Sequence, residues 1–324
     1  MFADRLGRGL VVAVFCAFFC FAAYADEKAE GVEIAKFKDN KVAAICMSFS
    51  DSTPDHFLIA APVLTKHGLK ATFFTITSER SDTLSKLHIL EAGNHEIASH
   101  TATHCPLTDQ SEDILIREIK NSKELLEANC QQEVVTFGYP NCIRTEQLIA
   151  FVDQFYLYQA PPLVNFGGAD FTLEDAMRIV NIRIGNNDEL MICFHGIHPD
   201  MEGWLPLTSA ELFEEIVVAI KELPDNVWRG MTIAELMEYT TLRDNCVISE
   251  QIKQPDLYQF RLAMPENMER YKGNITLLLT TAIADPTVEI NGTDTPYTRL
   301  GDGRLMFDAP SDGTVKITAK TPTK

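Results

Sequence analysis

The sequence predicts an α/β protein: a parallel sheet or barrel, followed by a small β-sandwich. Three observations lead there. Between residues 42 and 240 short apolar runs alternate with amphipathic stretches of helical period, which is how strands joined by crossover helices read. Several chemically capable side chains, Asp51, His100, His104 and His195, follow directly on those runs. After about residue 243 the period drops to two, and turn dipeptides punctuate the chain.

The first 25 residues stand apart. Arg5 and Arg8 precede an apolar run, and Ala23-Tyr24-Ala25 precedes Asp26. A basic region, an apolar region and an Ala-x-Ala site mark a secretory signal peptide. The apolar run is shorter than the roughly 20 residues a membrane span requires. Cleavage after Ala25 and a secreted or periplasmic location are expected, with no membrane span remaining. The six cysteines beyond it are Cys46, Cys105, Cys130, Cys142, Cys193 and Cys246. Export permits disulfides, and Cys46 and Cys193, inside apolar runs, read as buried thiols. The absence of any Cys-x-x-Cys pair speaks against a thiolate zinc cluster.

The strand candidates are residues 42–49, 71–76, 96–99, 133–139, 178–184 and 190–194. Helical periodicity marks 112–127, with Leu115, Ile119 and Leu126 on one stripe. It marks 208–222, where Thr208 and Glu211 have capping-box spacing, and 233–239. A first domain over 26–243 follows. From 247 to 324, strand-like alternation is broken at Asn291-Gly292, Gly301-Asp302-Gly303 and Asp312-Gly313, the pattern of a hairpin-rich β-sandwich. Asn274-Ile-Thr and Asn291-Gly-Thr are glycosylation sequons. With 46 acidic against 28 basic residues the net charge is −18, which argues against nucleic acid and anionic membranes as partners.

Parallel α/β folds build their sites at the carboxyl ends of strands. Asp51 ends the first strand candidate, His100 and His104 follow the third in HEIASHTATHC, and His195 follows the last in LMICFHGIH. One carboxylate and two imidazoles suit zinc or another divalent transition metal, with positions left open for water or substrate.

In chain order, SFSDS (48–52), HEIASHTATH (95–104), TFGYPN (136–141) and CFHGIH (193–198) resemble successive motifs of the polysaccharide deacetylases. These are the NodB-homology domains of carbohydrate esterase family four. ATFFTI (71–76) resembles the family's second strand, and the similarity covers residues 40–240. The resemblance implies a distorted (β/α) barrel of about seven parallel strands. It implies a metal held by Asp51, His100 and His104, with His195 protonating the leaving group. It also implies an oxyanion-stabilising N–H from Gly138-Tyr139-Pro140-Asn141. The family's first strand ends in Phe-Asp-Asp, the first Asp being the general base; here Phe49-Ser50-Asp51 puts a serine there, whose hydroxyl is no base near neutral pH. Gly138 stands where an arginine often holds that base, and Asn141 where an aromatic is usual. A deacetylase of this kind then has the metal supply hydroxide unaided, or another carboxylate such as Asp170, Asp175 or Asp200 reach the water from a loop.

Three readings follow. One is a secreted metal-dependent deacetylase of acetylated oligo- or polysaccharides, slowed by Ser50. The second is a metal-containing binder of acetylated glycans that does not cut them. The third makes the metal structural and places the function with partners of the β domain. Tyr139, Asn141 and Trp204 are the expected sugar contacts, His95 and His198 are assigned to structure, and side-by-side loops in the family suggest a Cys105–Cys142 disulfide.

Overall fold

The computed structural model describes residues 31–77, 82–197 and 207–320. Its first layer is one sheet whose strands all run parallel. The order across the sheet is Tyr158–Gln159, Thr136–Phe137, Glu96–Ser99, Thr72–Thr75, Ala43–Ser50, Glu189–Phe194 and Val164–Asn165, with Val227–Arg229 beside the start of Ala43–Ser50. The two outer strands are joined by the short link 160–163, so the sheet curls into an incomplete barrel closed there by a loop. Ala43–Ser50 is buried along its whole length, as a central strand covered on both faces must be. Phe49, Phe73, Phe137, Phe194 and Phe213 fill the core, and Phe49 stacks on Phe73 with centroids 4.7 Å apart.

Helices Ala61–His67, Thr83–Ala92, Asn121–Glu127, Leu173–Gly185, Ala210–Lys221 and Ile233–Asn245 belong to this layer. Two expectations change here. Residues 178–184 were expected as a strand but lie in helix Leu173–Gly185. The alternation of Val180, Ile182 and Ile184 reads as period two, but Thr172 and Asp175 form a full capping box upstream and start a helix. Ile182 is 52% exposed, so its apolar side chain is not a core signal. Helix Ala210–Lys221 is capped by Ser209, whose side chain accepts from Leu212 N; Thr208 pairs instead in the short strand Leu207–Thr208.

Two antiparallel sheets follow. One orders Gly31–Ile34, Asn274–Thr280, Leu305–Pro310 and Thr298–Arg299; the other orders Val247–Gln254, Leu257–Ala263, Gly313–Ala319, Pro286–Ile290 and Thr293–Asp294. They share a core of Tyr258, Phe260, Leu277, Phe307, Val315 and Ile317, the expected sandwich. Asn291 and Gly292, with φ of 50° and 79°, make the tight turn that this dipeptide favours. Gly31–Ile34, assigned from sequence to the first domain, is an edge strand here and pairs with Asn274–Thr280. Tyr239 donates to Ala35 O at 2.8 Å and Arg270 to Asp153 O at 3.0 Å, so the sandwich is fastened to the barrel at these two points. The expected signal peptide lies outside the described residues. No described helix is long and apolar enough to cross a membrane.

Candidate metal centre

Strand register brings distant residues to one rim. Phe49 pairs with Phe194, which sets Asp51 and His195 at one level. Thr75 pairs with Ser99 and Ser99 with Phe137, which sets His100 beside Gly138. His100 Nδ1 then donates to Gly138 O at 2.8 Å. That bond fixes the tautomer and leaves Nε2 as the ligand atom, the usual second contact of a metal-binding histidine.

Asp51 Oδ1 lies 3.5 Å from His100 Nε2 and 3.4 Å from His104 Nε2. The ligand atoms of all three residues fall within 4.8 Å of one another. These separations exceed hydrogen-bond lengths. They match the roughly 3.3 Å between donors placed about 2.0–2.1 Å from a tetrahedral ion. Asp51 Oδ1 is buried and has no hydrogen-bond partner, a costly state for a carboxylate unless a cation sits there. The donor set and the orphaned oxygen therefore fit a divalent transition metal. Burial raises the Asp51 pKa, but the imidazoles of His100, His195 and His104, His100 foremost, outweigh it and leave the carboxyl at about 2. It stays ionised, as a ligand must.

The backbone around the centre is strained. Asp51 (φ 83°), Ser52 (54°), Thr101 (71°) and His104 (57°) all occupy the left-handed region. Each costs about 1–3 kcal/mol, and such residues gather at functional sites; Thr101, being β-branched, is the least expected. Buried contacts hold the loops in place. Ser52 Oγ accepts from Ile76 N at 2.8 Å. Thr101 Oγ1 accepts from His104 N at 2.8 Å. The fully buried Glu118 accepts from Thr103 N at 2.8 Å and from Thr103 Oγ1 at 3.1 Å. His56 donates from Nε2 to His195 O, and Asp55 accepts from Ile197 N. Glu118 and His56 each sit in a widened π turn, Ile116–Lys120 and His56–Ala60, a feature common near functional sites.

His195 Nε2 is 4.0 Å from Asp51 Oδ2, and its buried Nδ1 has no partner. Burial lowers its pKa, opposed by the Asp51 charge and assisted by His100. Ser50 is buried, with Oγ 3.3 Å from Cys193 Sγ, and burial pushes the Cys193 thiol up to about 12. A Cβ on Gly138 would lie 2.5 Å from Phe74 Cδ1, so Phe74 fills the space any larger residue there would enter.

A cavity of about 730 Å³ opens over the centre, within the size range of small-molecule sites. Ser50, Asp51, His100, His104, His195, Tyr139 and Asn141 all line it. Asp51 is the only carboxylate among its described lining residues. Tyr139 is largely core: its hydroxyl donates to Gln159 and its ring packs edge-on to Phe137 at 5.0 Å. Trp204, Asp200 and His198 lie outside the described residues. Asp170 and Asp175 do not line the cavity; Asp175 is committed to its helix cap and to Arg178. The Cys105–Cys142 disulfide is absent: both thiols are free, Cys105 packing on the core while Cys142 faces the cavity. His95 is structural as assigned, buried with Nε2 3.2 Å from Ala61 O.

Sequence reasoning missed Glu118, Asp55 and His56. Glu118 shares a stripe with Ser122 and Leu126, all buried, and that spacing was a usable sign.

A polysaccharide deacetylase family profile matches residues 37–159. A Bacillus subtilis (strain 168) protein, YxkH, named for the same family, is 30% identical over 109 residues, 32% of this chain and 39% of that protein. A chitooligosaccharide deacetylase of Rhizobium leguminosarum bv. trifolii is 34% identical over 73 residues, 22% of this chain and 34% of that one. The chain thus spans between one third and two fifths of the length of these relatives. A solved Mycobacterium smegmatis structure described under the same family name superposes with TM-score 0.51 at 15% identity, covering 69% of this chain and 98% of that one, a likeness of fold. Motifs, profile and curled parallel sheet agree, and the barrel is a divergent polysaccharide deacetylase domain of the NodB-homology type, carbohydrate esterase family four.

Proposed function

We propose that the chain is an exported, metal-dependent deacetylase that removes N- or O-acetyl groups from oligo- or polysaccharides without a carboxylate base. The observation that carries this is the convergence of Asp51, His100 and His104, with His195 beside them, on the floor of one cavity. Those three residues would hold the ion, with zinc the best match to one carboxylate and two imidazoles. When bound, such an ion polarises a carbonyl and makes water nucleophilic near neutral pH.

The chain's own residues do the rest. With the ligands set aside, His195 is the one imidazole or carboxylate left among the described lining residues, and it carries the proton to the leaving nitrogen or oxygen. The loop contacts of Asp55 and His56 hold it in place. An N–H of the Gly138–Asn141 turn stabilises the developing oxyanion. Ser50, bonded to Cys193, supplies no base, and losing that help costs about 10²- to 10⁴-fold in rate. The barrel, up to residue 243, is the working domain, and the sandwich, which takes Gly31–Ile34 as an edge strand, is an accessory module.

The second reading, a metal-containing binder of acetylated glycans, is favoured by one observation. No described lining residue but Asp51 is a carboxylate. Acetate release from acetylated chitooligosaccharides and acetylated xylan fragments separates the two. The enzyme reading expects release that requires added zinc and falls at least tenfold in His195→Ala. Binding of these glycans with no release by zinc-loaded protein would establish the binder instead.

A further inference from the structure

The cavity holds one feature that the metal chemistry does not use. Arg144 lies on its wall, the only Lys or Arg among the described lining residues. It follows the turn Pro140–Cys142 that also presents Asn141 and Cys142. Its guanidinium carbon sits 5.9 Å from the centre of the Tyr139 ring, and that ring is immobilised by Phe137 and Gln159. Its Nη1 donates to Ala160 O at a long 3.4 Å. No carboxylate pairs with it among the described residues, in a chain with 46 acidic side chains against 28 basic ones. Six of the nine other described arginines behave differently: Arg117, Arg178, Arg183, Arg229, Arg243 and Arg304 each meet an acid within 3.3 Å.

A guanidinium carries five N–H donors in a planar fork. Arg144 places one on Ala160 O, the others meet no carboxylate among the described residues, and its guanidinium carbon sits beside an immobilised aromatic ring. That is the preorganised arrangement that recognises a planar anion by two parallel bonds. From this, which rests on the glycan-deacetylase reading above, we infer that the natural ligand is an acetylated glycan bearing a carboxylate, and that Arg144 reads it. One unpaired cation offsets one negative charge, so a carboxylate suits it better than a phosphate dianion in a chain of net charge −18. A cavity of about 730 Å³ has room for about one or two sugar rings. The carboxylate therefore belongs to the acetylated sugar itself or to its immediate neighbour.

Two kinds of sugar carry that chemistry, a hexuronic acid linked to an acetylated sugar and an acetylated sugar bearing a lactyl ether. Each is tested by calorimetric titration of zinc-loaded wild-type protein, comparing the acid with its methyl ester. Esterification removes the charge and leaves the acetyl group and ring intact, so the comparison requires no variant to fold. At least one acid is expected to bind about tenfold tighter than its ester. Arg144→Gln should abolish that difference while leaving the affinity for the ester unchanged. Arg144→Lys should restore only part of it, because a point charge lacks the fork. Which acid shows the preference identifies the source. Equal affinity of acid and ester in both pairs overturns the inference, and so does binding of neither pair. Because the readout is binding, acetate release from neutral acetylated chitooligosaccharides would still stand or fall separately.

Discussion

Glu118 provides the sharpest link between a buried side chain and the metal centre. It is fully buried, in the helix facing the loop that carries His104, and accepts two bonds from Thr103, the residue just before that histidine. Arg117, with a side chain 59% exposed, partners it at 3.0 Å. Glu118→Gln keeps an acceptor for Thr103 N but removes the charge from both contacts. Hydrogen bonds to charged groups contribute about 1.5–3 kcal/mol each, so losing charge assistance at Thr103 should destabilise the fold by about 1–2 kcal/mol. Glu118→Ala leaves Thr103 N and Oγ1 without their acceptor and should cost about 2–4 kcal/mol, the desolvation penalty of orphaned donors. The effect should also reach the ion. Outer contacts that orient ligands are worth about 10–100-fold in metal affinity, and zinc affinity should fall about tenfold in the Gln variant and further in the Ala variant. Urea unfolding reads the first quantity, and competition against a chromophoric zinc chelator reads the second. Two folded variants that both bind zinc within about twofold of wild type would refute the idea that Glu118 sets the His104 loop.

His95 should make stability depend on pH. Burial lowers its pKa to about 4, opposed by its bond to Ala61 O, so the unfolded chain binds a proton more readily than the folded one. Stability is complete above the unfolded value near 6.5 and declines as pH falls toward 4, by about 3 kcal/mol in total. Urea midpoints of His95→Gln should fall less between pH 7 and pH 4.5 than those of wild type, and parallel slopes would contradict this. Ser50→Asp should raise zinc-dependent acetate release by about 10²-fold or more, provided the new carboxylate is accepted beside Cys193. An unchanged rate in a folded, zinc-loaded variant would show that the serine is not what limits turnover.

The parallel sheet, the sandwich and the strand-end positions of Asp51, His100, His104 and His195 were readable because each rests on local pattern. Ala43–Ser50 is a continuous apolar run, Asn291-Gly292 is a turn dipeptide, and the His100–His104 spacing sits just after a strand. The short outer strands Tyr158–Gln159 and Val164–Asn165 were missed, since two residues leave no periodicity to detect. Residues 178–184 were misread because β-branched residues on a half-exposed helix face mimic alternation. Asp55 and His56 act on backbone atoms of a distant loop, contacts that depend on tertiary packing and leave no trace in spacing, whereas Glu118 showed itself only through the buried stripe it shares with Ser122 and Leu126. The space that Phe74 takes beside Gly138 is likewise a property of packed side chains: the sequence displayed the glycine but not the ring that requires it.

Calorimetric titration of zinc into chelator-stripped protein tests the central claim most directly. Wild type should take up one ion per chain. Asp51→Asn, His100→Ala and His104→Ala should each weaken binding by at least about a hundredfold, given the several kcal/mol each ligand contributes to a structural zinc site, while His195→Ala should leave it intact. Undiminished uptake after His100→Ala, or loss of uptake in His195→Ala alone, would contradict the assignment of the centre.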